Sequence, residues 1–284
     1  MSEVRVLGAG DERVLVDFLE ERVDTSLFLL SNSEAVGLED HGRPLEGTYA
    51  ATFEDGRMTA VAAHFWNGFL IVQGADAGVE RAAQVAVSRT GRALNGLIGP
   101  LGLVEAARRA LGAKMRREKK GEPEILYGLD LERLRVPPLL DAPGVVCRPA
   151  TADEVAGVLV DWWVEYAVEA LGQDRPREPR ETSRNTPLQP GHPGWVLVHD
   201  GRPVSYSKFT ASTHGVVQVG GVYTPPELRA RGYGRAVVAG SLRDARKEGN
   251  RRSVLFTART NVAAQRAYRA LGYEALGDFA LVLF

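Results

Sequence analysis

The sequence predicts a mixed α/β (α+β) chain built as two tandem copies of one fold, each a mixed, mostly antiparallel twisted sheet flanked by helices. Three observations lead there. Strand-like and helix-like periodicities alternate along the 284 residues. The same order of elements begins again after Pro137, Pro138, Pro143 and Gly144, which mark a linker over 137–145. Short segments of the two halves also answer one another, VLVDFL to VLVDWW and AARRALG to RAYRALG. The expected domains are 1–136 and 146–284.

In the first half, residues 5–7 read as a strand, and Asp11 can cap a helix from Glu12 to about Val23 with Val14, Leu15, Phe18 and Leu19 on one face. A polar connection, SNSEAVGLEDHGRPLEG, leads to a three-strand meander over 48–53, 58–66 and 69–73. Its turns are Asp55-Gly56 and Asn67-Gly68, dipeptides that tolerate the positive φ of tight hairpins. A helix over 79–88, a strand over 94–98, a helix over 104–111 stopped by Gly112, and a strand near 125–131 follow, with the charged run KMRREKKGE as an exposed basic hairpin. In the second half Cys147-Arg148 closes a strand, and Thr151 with Glu154 fits a capping box for a helix through Leu171. A second meander covers 195–200, 204–210 and 216–223, followed by a helix over 235–246, a strand over 254–257, a helix over 262–271 and a strand over 280–284.

Composition narrows the function classes. With 44% hydrophobic and 25% charged residues, a sizeable core is available. A net charge of −1 argues against a nucleic-acid partner, and the single cysteine, Cys147, excludes an internal disulfide framework and a cysteine-rich zinc site. His41, His64, His192, His199 and His214 show no metal-ligand spacing, so no metal is expected. The start, MSEVRVLGAGDERV, lacks the apolar core of a signal peptide, and no apolar run of about 18 residues occurs. A soluble, cytoplasmic protein without a membrane partner is expected, as a monomer or homodimer.

The stretch VVQVGGVYTPPELRARGYG, residues 216–234, is the most informative. Val217, Val219 and Val222 suit a buried strand, and Thr224, Pro225 and Pro226 end it, because proline fixes φ and removes a ladder donor. Arg229-Ala230-Arg231-Gly232-Tyr233-Gly234 then opens a helix at Arg235. Unpaired N–H groups and the dipole at a helix amino terminus make an anion site, and glycine lets the backbone approach a phosphate. From Arg229 to Arg269 there are 11 Lys and Arg against 2 acidic residues, which favours an anionic ligand. At the matching place the first half has GADAGVERAAQ, with acidic residues and no such glycine pair. A nucleophile elbow and a Walker lysine are both missing.

On these residues the second half resembles the GCN5-related N-acetyltransferase (GNAT) superfamily. Arg229, Gly232 and Gly234 satisfy its motif of Arg or Gln, two residues, Gly, one residue, Gly or Ala. Asn261, Tyr268 and Leu271-Gly272-Tyr273 match its later segment, where an asparagine precedes a tyrosine by seven residues and a Leu-Gly-aromatic triplet follows. The resemblance covers about 146–284. The first half is similar in layout only, as in tandem members with one degenerate copy, such as the mycothiol synthases. Matching the two late helices sets Arg108 opposite Tyr268 and Leu101 opposite Asn261.

The resemblance implies two acyl-CoA N-acyltransferase folds, the second using acetyl-CoA as acyl donor to an amine. It implies that main-chain groups of Val222 and Thr224, around Tyr223, pair with pantetheine. The backbone of Ala230, Arg231, Gly232, Tyr233, Gly234 and Arg235 would hold the pyrophosphate with Arg229 nearby, and Asn261 would join the cofactor site. Tyr268 is the implied general acid, a backbone N–H near Val222 the implied oxyanion donor, and Gly220-Gly221 the mark of a strand bulge. Some members carry a glutamate base where this chain has Gln218. Trp162, Glu165, Tyr166 and Glu169 follow i, i+3, i+4, i+7 spacing and can face the acceptor together, with Glu169 or Glu165 binding or deprotonating an ammonium. The proline-rich segment 172–194 is expected to be a flap. The acceptor is then a small cationic or amino-acid-like amine. The alternatives are a CoA-binding sensor or scaffold without transfer, which Gln218 and the degenerate half suggest, and a transferase dependent on aminoacyl-tRNA.

Overall fold

The computed structural model describes residues 2–112, 118, 121–176 and 194–284; most of the expected basic hairpin and flap, with His192, lie outside the described residues. The chain divides into two compact units, Met1–Ile125 with Gly277–Phe284, and Leu126–Leu276. This division departs from the expected boundary at 137–145. The reason is strand pairing: the last strand of the chain completes the first unit, and residues just before the linker complete the second.

The first unit contains β1 (Ser2–Val6), β2 (Gly47–Glu54), β3 (Arg57–Phe65), β4 (Phe69–Gly74), β5 (Gly96–Pro100) and most of β12 (Glu274–Leu283), hydrogen-bonded in the order β1-β2-β3-β4-β5-β12. Neighbours run antiparallel except β4 and β5, which are parallel. At the β2–β3 turn Asp55 and Gly56 both take positive φ, the backbone that a two-residue hairpin demands. Helices α1 (Glu12–Glu20), α2 (Val23–Val36), α3 (Asp76–Thr90) and α4 (Leu101–Leu111) accompany the sheet. Helix α2 runs into the expected polar connection, because buried Leu27, Leu29 and Leu30 hold it and its Ser33 hydroxyl donates back to the Leu30 carbonyl. Leu97, Val104, Ala280 and Val282 share one core cluster, so the end of the chain is part of this unit's interior.

The second unit contains most of β6 (Glu124–Asp130), with β7 (Val145–Pro149), β8 (Trp195–His199), β9 (Arg202–Thr213), β10 (Val216–Tyr223) and β11 (Arg252–Ala258), in the order β6-β11-β10-β9-β8-β7. Its helices among the described residues are α5 (Ala152–Ala156), α6 (Val158–Leu171), α7 (Tyr233–Lys247) and α8 (Val262–Leu271). The capping box of Thr151 and Glu154 is formed, but the helix it opens ends at Gly157, a break between α5 and α6 within one expected helix. Helix α6 covers one face of the sheet, with Trp163 edge-on to Tyr206 of β9 at 6.0 Å. Helix α7 covers the other, where Trp195 stacks on Phe209 at 4.5 Å and its indole N–H donates to Asp244.

Placing a carboxylate in the first unit's core at its last strand, Val282→Asp, costs about 3 kcal/mol or more. Limited proteolysis read by mass spectrometry then shows new cleavage first within residues 2–112; first cleavage within 126–276 contradicts the assignment of β12.

Candidate active site

The site begins where two parallel strands part. Strands β10 and β11 pair only at Val216–Arg252, Val217–Ser253 and Gln218–Val254, and the pairing stops there. On its other edge β10 shifts register against β9 twice, between Gln218 and Val219 and between Gly220 and Tyr223. Gly221 takes φ +59, so the expected glycine bulge lies beside the parting point. The edge of β10 beyond Gln218, with Val222 in it, therefore faces a wedge instead of a neighbouring strand.

At the far end of β10 the chain enters the glycine loop. Ala230 has φ +63 and Gly232 φ +81, a left-handed pair that turns successive N–H groups the same way. None of the backbone N–H groups from Ala230 to Arg235 has a hydrogen-bond partner among the described residues, and α7 starts with no side-chain cap. Arg235 adds a guanidinium whose Nε is buried and unpartnered among the described residues, and its Nη2 lies 3.9 Å from where a Cβ on Gly232 would sit. A Cβ on Gly234 would stand 3.3 Å from the Thr224 hydroxyl. Six free amides beside a cation fit a pyrophosphate.

The loop is braced from several sides. The Ser205 hydroxyl of β9 donates to the Tyr223 carbonyl at 3.0 Å and lies 2.8 Å from the Thr224 hydroxyl. Arg229 donates from Nε to the Thr224 carbonyl at 2.9 Å and from Nη2 to Glu169 at 2.7 Å. The motif arginine thus ties the loop to α6. Tyr233 is buried, with its hydroxyl 2.7 Å from Nδ1 of His199, so the motif aromatic is an anchor.

Helix α8 follows β11 and supplies the remaining matched residues. Asn261 caps it, its Oδ1 accepting from the Ala264 N–H at 3.1 Å. The ring of Tyr268 packs edge-on to Tyr273 at 5.9 Å, and Tyr273 is itself held by Ser253 at 2.6 Å. The Tyr268 hydroxyl has no hydrogen-bond partner among the described residues, whereas a tyrosine that merely fills a core has its hydroxyl satisfied. Burial, and then the neighbouring Tyr166, push its pKa above the usual phenol value, so it is a protonated donor at neutral pH.

The α6 residues expected on one face converge on this side. Trp162 lies 6.1 Å from Tyr223, and Tyr166 packs against the same apolar cluster. Glu165 is held bidentately by Arg175 at 2.7 and 2.9 Å, and Glu169 by Arg229. Gln218 is buried, donating from Nε2 to Thr210 at 2.8 Å.

Lys208 escapes the sequence reading, because one lysine in a strand carries no signal until its burial is known. It is 9% exposed on β9, opposite Gly220, on the face that Tyr206 and Thr210 share. Burial alone pushes its pKa down to about 8 from 10.5. Because the unfolded chain binds the proton more tightly, Lys208 destabilises the fold fully below about pH 8 and ceases to do so above 10.5. Urea unfolding of wild type and Lys208→Met across pH 7–10.5 should therefore differ most at the low end, in favour of the variant and by on the order of 1–3 kcal/mol. A difference that does not change with pH contradicts this.

The first unit has no counterpart to the cradle. Strand β4 ends at Gly74 and α3 begins at Asp76, so Ala75 alone stands where the second unit has residues 224–232. The first turn of α3 carries the acid Asp76, and the Ala75 N–H donates to the Thr59 carbonyl. Beyond the parallel pairs of β4 and β5, a Cβ on Gly99 would be 2.8 Å from the Val72 carbonyl, so the two backbones stay close. Arg108, opposite Tyr268 in the duplication, pairs with Glu118 at 2.9 Å.

Comparison with known proteins supplies a family match for part of the second unit. Residues 158–273 match the model of the Acetyltransferase (GNAT) family. The sequence has no significant match among proteins of curated function. Similar solved structures include a Drosophila protein at TM-score 0.67 and 14% identity, covering 99% of this chain and 98% of that one. A GCN5-related N-acetyltransferase from Sphaerobacter thermophilus follows at TM-score 0.58 and 17% identity, with 99% and 94% covered. A tandem GNAT protein from the clavulanic acid biosynthesis pathway has TM-score 0.51 and 17% identity, with 99% and 97% covered. Among the described residues no group of His, Cys, Asp or Glu is arranged to hold a metal, and no helix is long and apolar enough to cross a membrane. The domain that carries this wedge and cradle, residues 158–273, thus matches the GNAT acetyltransferase family, and the fold is shared along nearly the whole length of the chain with a tandem GNAT protein.

Proposed function

We propose that the second unit is an N-acetyltransferase that uses acetyl-CoA and moves the acetyl group by direct attack of a small cationic or amino-acid-like amine, both substrates being bound together. The supporting observation is the combination of six unpartnered amides after β10 with an unengaged phenol on the helix after β11. Acetyl-CoA brings an acyl group already activated as a thioester; the chain contributes position and proton handling. Ala230 to Arg235 hold the pyrophosphate, the open edge of β10 at Val222 takes the pantetheine arm and polarises the acyl carbonyl, and Asn261 closes the far side. Tyr268 gives a proton to the leaving sulfur. On the acceptor side Trp162, Tyr166 and Gln218 shape the site, and Glu169 takes the ammonium proton through water while Arg229 fixes it.

The first unit, on this reading, is a degenerate copy that binds no donor, since Asp76 stands where a phosphate would lie and the cradle loop is missing. Gln218, neutral and engaged by Thr210, supports a second reading, a CoA-binding sensor that transfers nothing.

Calorimetric titration with CoA should give one site per chain, and Gly232→Val should abolish it, because its left-handed φ is strained for a branched side chain. Two sites, or unchanged binding in the variant, contradict the assignment. In turnover with an amine panel, Tyr268→Phe lowers kcat about 100-fold or more with little change in the KM for acetyl-CoA. Tight CoA binding with no turnover on any amine favours the sensor.

A further inference from the structure

Lys208 is a buried cation for which the described residues provide no anion. Among the described residues it makes no ion pair or hydrogen bond. Its side chain lies along the bulge: a Cβ on Gly221 would meet its Cε at 3.1 Å, Cγ at 3.3 Å and Cδ at 3.5 Å, so a glycine is what gives the stem room. The bulge immediately precedes Val222, on the edge that faces the wedge. By strand alternation Lys208 shares the α6 face with Tyr206 and Thr210, and Thr210 is bonded to Gln218. The acids of α6 do not pair with it: Glu165 is held by Arg175, Glu169 by Arg229, and Asp161 is exposed. Among the described residues of this face, Lys208 is therefore the buried charge left without a counter-ion. A buried charge without a partner is unfavourable unless a ligand supplies one.

We infer that Lys208 anchors an anionic group of the acceptor, so that the substrate class is an amine that also carries a carboxylate, such as an α-amino acid, and not a purely cationic amine. The inference rests on the acetyltransferase reading and narrows its acceptor.

The test compares amino acids with their carboxamides, which keep the amine and lose the charge. The full chain should use the acids with kcat/KM about 10- to 100-fold above the carboxamides. Lys208→Met should erase that preference by raising KM for the acids, leave kcat/KM for the carboxamides within about 2-fold, and keep CoA binding unchanged. Lys208→Arg should restore much of the preference. Calorimetry with the amino acids alone should show binding to the wild type and its loss in Lys208→Met, a readout independent of turnover. Equal use of acids and carboxamides by the wild type overturns the inference, as does an equal fall in kcat for both in Lys208→Met and Lys208→Arg, which marks a base instead of an anchor. Absent CoA binding defeats the acetyltransferase reading itself, whereas CoA binding without amino-acid binding defeats only the anchor.

Discussion

The parting of β10 from β11 after Gln218 and Val254 is the constraint on which the second unit's proposed site depends. Two parallel strands that stay paired leave no edge for a ligand. Here the double register shift around Gly220 and Gly221 bends β10 away, and the helix after each strand inherits a place at the wedge. Helix α7 brings free amides and Arg235 to one end, and α8 brings the Tyr268 hydroxyl. Neither element is useful alone. On the proposed reading, anion binding and proton donation become one site because both helices follow strands that pair over three positions before they part.

Rigidity comes from polar contacts within the second unit itself. Ser205, Thr224, Arg229 and Glu169 form a chain of polar contacts from β9 through the glycine loop to α6. His199 and Tyr233 pin the loop from beneath. A left-handed residue such as Ala230 is unfavourable in isolation and persists because these contacts fix its neighbours. The first unit lacks this bracing at the matching place, where Ala75 leads straight from strand to helix and donates its N–H to the Thr59 carbonyl.

Much of this was legible in the residues. Periodicity and hairpin dipeptides give both meanders, since Asp-Gly and His-Gly turns with positive φ are local chemistry. The glycine loop and the Asn261–Tyr268 spacing give the residues on which the proposed donor side rests. What escaped was set by tertiary contact. Helix α2 continues through polar Ser31 to Glu34 because its leucines are buried, which local propensity does not show. The exchange of β12 into the first unit needs the register with β5. Glu165 and Glu169 follow a helical stripe as expected, but their arginine partners lie 10 and 60 residues away in sequence. Lys208 looks like any strand lysine until Gly221 is seen to make room for its stem.

The central claim is that a CoA donor lodges in the wedge of the second unit and nowhere else. Hydrogen exchange read by mass spectrometry, with and without CoA, tests it most directly. Protection should rise at the amides of residues 222 and 230–236 and around 261–268, and stay unchanged across residues 69–90. Protection across 69–90, or none at 230–236 under saturating CoA, would contradict the account.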